Sequence, residues 1–199
     1  MATSKARQHT NSHFSNLMEW KRYGHWKSSA EKTRFSAFVL WELRTNLSLI
    51  EELKAKCPNG TGHSSLNLTE AFRRESALAL ELVIKAVIAR KIEEGSLTPD
   101  KLQFSHNIPV LWKNAELGQL SKKDSQVLLW AKQILNWRGR YATPKNAETW
   151  KQETHDFDRL SSRRADSGSK FEIQEAKDLD WTDFDRLYQI AYKVLVNLP

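Results

Sequence analysis

The chain has 199 residues, 31 Lys and Arg against 24 Asp and Glu for a net charge of +7, and only 7 Gly and 5 Pro. That length fits one domain, and the scarcity of turn formers argues against an all-β fold. A hydrophobic share of 40% that includes 8 Trp excludes wholesale disorder.

Residues 1–15 are polar and aperiodic and read as a flexible arm, with 16–199 as a single helical domain. Within NLMEWKRYGHW, Leu17, Trp20 and Tyr23 mark a short helix. A longer helix is expected over 31–56, where Phe35, Phe38, Val39, Leu43, Leu47, Ile50 and Leu53 form an apolar stripe broken only by Glu42. Cys57-Pro58-Asn59-Gly60 ends it in a loop. The lone Cys57 excludes an intramolecular disulfide and a multi-cysteine zinc site.

Asn67 with Glu70 resembles a capping box and opens a helix over about 68–94, whose centre SALALELVIKAVIA suits a helix surrounded by others. Gly95 stops it. Asn107 caps a short helix with Pro109 at its second position, reaching Gly118. Ser121 with Asp124 is a second capping box, and its helix runs to Trp137 with Val127, Trp130 and Ile134 on one stripe. Trp41, Trp130 and Trp137 are expected inside, whereas Trp20, Trp26 and Trp150 are left open.

Residues 138–152 read as an irregular connection, 153–164 as a charged helical segment and 163–170 as a loop. A last helix covers about 182–197, with Phe184, Leu187, Ala191, Val194 and Leu195 on one side. The expected fold is all-α, a bundle of four or more main helices with one short internal helix.

No apolar run reaches membrane-span length and no signal-peptide core is visible, so a cytoplasmic protein without a membrane partner is expected. No P-loop, dinucleotide fingerprint or paired-histidine zinc pattern occurs, and neither a cofactor nor a metal site is expected. The basic balance suits an anionic partner such as nucleic acid.

Three groups stand out as site candidates. Glu81 and Lys85, one turn apart in an apolar run, fit either a partly exposed ion pair or the lining of a polar groove, extended by Arg74 and Glu75. His106, beside the Asn107 cap, fits either a local backbone or solvent contact or a proton-transfer role. Arg138 and Arg140, flanking Gly139 and followed by Tyr141, fit either helix-end dipole partners or a groove that binds phosphate, with Lys145 nearby.

The segments ALELVIKAVI (79–88), SHNIPVLW (105–112) and WRGRYATP (137–144) together resemble the HEPN superfamily of helical bundles. They match its Glu-and-Lys helix, its His-Asn-Ile segment and its helix ending in Trp and a Gly-Arg-Tyr turn. The resemblance covers about 70–145, with the N-terminal helices and the last helix closing the bundle. It implies an RNA-binding protein or a metal-independent ribonuclease of a bacterial toxin–antitoxin or phage-defence system. It also implies a homodimer or a protein partner encoded nearby. Under it His106, Arg138 and Arg140 are the catalytic candidates, and Arg138, Arg140, Tyr141 and Lys145 the RNA contacts.

The chain departs from the family's compact Arg-x(4–6)-His motif, since 14 residues separate Arg140 from His155. Arg7 and His13 have that spacing but lie in the arm. Two alternatives stay open on this ground: a non-catalytic helical interaction or dimerisation module, and a nucleotide-binding partner of a nucleotidyltransferase.

Overall fold

The most apolar stretch of the chain lies in the middle of the bundle. In the computed structural model, which describes residues 22–56, 64–138, 148, 151 and 179–198, it forms a 30-residue helix, Ser64–Glu93. This is α3 in chain order, after α1 (Tyr23–Leu43) and α2 (Leu47–Lys56). A single 3-10 turn at Pro99–Lys101, α4 (Ile108–Asn114), α5 (Lys122–Gln133), a π-helical turn (Ile134–Arg138) and α6 (Trp181–Asn197) follow. The bundle is all-α, and no strand occurs among the described residues.

From Ala79 to Ala89 every residue of α3 except Leu82 is buried, because α1, α4, α5 and α6 all pack on it. Burial of each Leu, Ile or Val there contributes about 1.5–3 kcal/mol. The helix starts a turn before the expected box, so Asn67 and Glu70 stand inside it, and Glu70 pairs with Arg73 instead. It ends as Gly95 requires: with φ 76° there, the Gly95 and Ser96 N–H groups donate to the carbonyls of Ile92 and Lys91 at 3.0 and 2.9 Å.

The N-terminal region differs from the expectation in two ways. The anticipated 31–56 helix is two helices: α1 begins at Tyr23, whose N–H donates to Glu93 at 2.9 Å, and it ends at Leu43. Asn46 then accepts the Leu49 N–H at 3.1 Å and starts α2. Most of the apolar stripe is also not the packing face, although its Ile50 is buried. Ala30 and Ala37 are completely buried, whereas Phe35 is 67% and Leu47 69% exposed, with Phe38, Val39 and Leu53 exposed as well. Small side chains let the α1 backbone approach α3, and the bulky residues one step round the helix are left exposed, with Phe38 still 5.1 Å from the Trp181 ring of α6.

Helices α5 and α6 are clasped by charge. The Ser121–Asp124 capping box is formed, and Arg186 of α6 reaches the Asp124 carboxylate while Lys123 reaches Asp183. Burial pushes the Asp124 carboxyl up, but the hydrogen bonds from Arg186 and Ser121 outweigh it and hold the group below the usual carboxylate range. Asp180 accepts the Asp183 N–H at 2.7 Å and opens α6, whose Phe184, Leu187, Ala191 and Leu195 are buried, whereas Val194 is half-buried.

Trp41 and Trp130 are half-buried, and among the described residues the tryptophan that is buried is Trp112. The arm, the Cys57 loop, Trp20, Trp150, the side chain of Trp137 and the segments expected over 153–164 and 163–170 lie outside the described residues. Within the stretch read as irregular, Glu148 and Lys151 have helical backbone.

Candidate active site

The inward face of α3 is interrupted by two charges. Glu81 and Lys85, four residues apart, face the same side of the helix, with side chains 4% and 5% exposed and Lys85 Nζ 2.6 Å from Glu81 Oε1. The pair is therefore buried, which sets aside the partly exposed alternative. A carboxylate held there needs its partners: removing one member of such a buried pair typically costs about 3–5 kcal/mol. Arg74 and Glu75, expected to extend the strip, make a looser contact of 3.7 Å at its outer end.

The second carboxylate oxygen is taken by His106. Its Nδ1 lies 2.7 Å from Glu81 Oε2, across 25 residues of sequence, and its side chain is 32% exposed. This contact replaces the local backbone contact expected for the histidine side chain. The loop between the 3-10 turn and α4 carries the ring to α3. The His106 carbonyl meanwhile accepts the Ile108 N–H at 3.0 Å, so its backbone leads into α4.

The indole of Trp26, from α1, lies over Lys85 with Nζ 5.4 Å from the ring centroid. Three elements therefore meet at the site: α3 supplies the ion pair, the 102–107 loop the imidazole and α1 the aromatic cover. Trp26 Nε1 and the Oγ of Ser105, the residue before His106 in sequence, are buried without a hydrogen-bond partner.

This arrangement fixes the direction of the hydrogen bonds. An ionised carboxylate only accepts, so Nδ1 carries the proton that it shares with Glu81. In the neutral ring Nε2 is then left with its lone pair, on a ring that a substrate can reach. A buried acid orienting an accessible imidazole in this tautomer is an arrangement suited to proton abstraction.

Of the other candidates, the backbone of Arg138 is described. The backbone of Arg138 closes the π-helical turn, which packs on α3, so the chain enters the Arg-Gly-Arg-Tyr segment from a helix bound to the site's own scaffold. The Arg138 side chain, and Arg140, Tyr141 and Lys145, lie outside the described residues. The role of Trp26 had no sequence signal, because 59 positions separate it from Lys85 and no local pattern links them.

Comparison with known proteins finds no matching family model, no matching curated protein and no matching solved structure. None of the described helices is long and apolar enough to cross a membrane. Among the described residues no three of His, Cys, Asp and Glu are grouped as a metal would require.

Proposed function

We propose that this chain is a HEPN-like RNA-binding protein that cleaves RNA without a metal ion, using His106 as the base. The observation that carries this reading is the Glu81–His106 hydrogen bond at 2.7 Å, which leaves Nε2 of an accessible imidazole as a proton acceptor. In the reaction His106 Nε2 takes the proton of an RNA 2′-hydroxyl, and O2′ bonds to the adjacent phosphorus. The P–O5′ bond breaks, and the 5′ oxygen takes a proton from water. The products are a 2′,3′-cyclic phosphate and a 5′-hydroxyl.

Arg138 and Arg140 are assigned the charge that develops on the phosphoryl oxygens, with Tyr141 and Lys145 as further RNA contacts. Phe104, two residues before His106 and 71% exposed, offers a ring on which an unpaired base can stack. A cytoplasmic setting in a bacterial toxin–antitoxin or phage-defence system is part of the same proposal.

Incubation of the purified protein with total RNA in EDTA tests the reading. Cleavage that survives EDTA and is lost in His106→Ala is expected; no cleavage, or cleavage indifferent to that change, rejects it.

A second reading, a non-catalytic module that pairs through its helices with a second copy or another protein, has its own observation. Phe35, Val39, Leu47 and Leu53 are large apolar residues left exposed on α1 and α2. Stable association lost in Phe35→Ser, with no RNA cleavage in any condition, is the outcome that favours it.

A further inference from the structure

One carboxylate at this site faces two potential cations. Glu81 Oε1 is bonded to Lys85 at 2.6 Å and Oε2 to His106 at 2.7 Å, and both the lysine and the glutamate are almost completely buried. Among the described residues the charged group in contact with His106 is Glu81 of α3, which also holds Lys85, and α1 covers the lysine with the Trp26 indole. We propose that Lys85 is a positioning residue which, by neutralising Glu81, keeps His106 uncharged and able to accept a proton at neutral pH. The inference rests on the reading of His106 as a base.

With Lys85 and Glu81 paired, the buried part of the site is neutral, and a neutral imidazole keeps it so. A further proton on His106 sets two cations against one anion where water screens poorly. Without Lys85 the cation in contact with Glu81 among the described residues is the imidazole itself, and a carboxylate beside a histidine favours the protonated ring. Lys85 also fixes the carboxylate: with Oε1 engaged, Oε2 is the atom that faces His106.

A purely structural lysine makes a different forecast, because losing it would loosen the helix without changing which form the imidazole takes. Nitrogen-15 NMR of the full chain separates the two, with the His106 ring signals identified by their loss in His106→Gln. At pH 7 the wild type is expected to show an uncharged ring protonated on Nδ1. In Lys85→Met the signals are expected to move toward imidazolium, and Lys85→Arg should restore the wild-type pattern. The double variant Glu81→Gln with Lys85→Met, which removes both charges, should again show an uncharged ring.

In the RNA-cleavage assay the acidic limb of the pH profile of Lys85→Met should move to higher pH by about one unit, equivalent to a tenfold change in proton affinity. An imidazolium in the wild type at pH 7, which is readable whether or not any variant folds, overturns the proposal. An unchanged ring in folded Lys85→Met does the same. A ring that responds as expected in a protein that cleaves no RNA upholds the charge role of Lys85 and rejects the nuclease reading.

Discussion

α3 and α1, at 30 and 21 residues, are the two longest of the described helices, and large side chains are buried on the first but not on the second. In α3 the large apolar residues face inward on nearly every side, and the charges among them are paired. In α1 the fully buried residues are Ala30 and Ala37, while Phe35, Phe38 and Val39 are exposed. Apolar periodicity therefore locates a packing face only when a helix has no better way to dock. Where two helices lie close along their lengths, the smallest residues mark the contact, because a backbone approaches most closely where there is least in the way.

The largest effect should come from charging the centre of α3. Val83 is fully buried, and Val83→Asp places an unpaired carboxylate among apolar neighbours. A loss of about 4 kcal/mol or more is expected in denaturant melts. A variant that melts with the wild type would mean that α3 does not occupy the middle of the bundle.

Ala37→Leu attacks the contact that periodicity overlooks. Added methylenes at a fully buried alanine should cost about 1–3 kcal/mol through overpacking against α3. If the change is neutral, the alanine face is not the docking face of α1.

Asp124→Asn acts on the clasp between α5 and α6, with an expected cost of about 1 kcal/mol at neutral pH from the weakened cap. Since the folded carboxyl titrates below the ordinary value, its contribution is complete above about pH 4 and fades as pH falls through the lower folded value. The gap between wild type and variant should therefore narrow in acid melts below about pH 4. A gap that widens there would contradict the Arg186 and Ser121 hydrogen bonds.

Phe35→Ser should change stability by less than about 0.5 kcal/mol in the same melts, although the apolar stripe assigns Phe35 to the core. A large loss would restore the stripe as the packing face and reverse the comparison.

Much of the bundle is readable because local chemistry and burial agree. The run around Val83, the stop at Gly95, the Ser121–Asp124 box and the stripe of α6 each follow from signals within one or two turns. The phase of α1 does not, because alanine carries little hydrophobic signal and phenylalanine carries much, wherever each one points. The break at Asn46 is hidden for a related reason: an apolar stripe running past it masks a cap that only the Leu49 N–H reveals.

The candidate site shows the same boundary. Glu81 and Lys85 declare each other by their spacing, and His106 stands out by its position before a cap. Their union depends on a loop that turns the chain back onto α3, and no local pattern encodes which carboxylate the imidazole will meet. The covering indole of Trp26 is further still from any sequence signal.

The proposed function requires His106, oriented by Glu81, to abstract the proton of a 2′-hydroxyl. It is tested most directly with a DNA oligonucleotide carrying a single ribonucleotide, incubated with the purified protein in EDTA. Cleavage after that ribonucleotide is expected, leaving a 2′,3′-cyclic phosphate, with none in the all-deoxy control and a loss of about 100-fold or more in His106→Ala. An uncut ribonucleotide-bearing strand, cleavage of the all-deoxy strand, or undiminished cleavage by His106→Ala would contradict it.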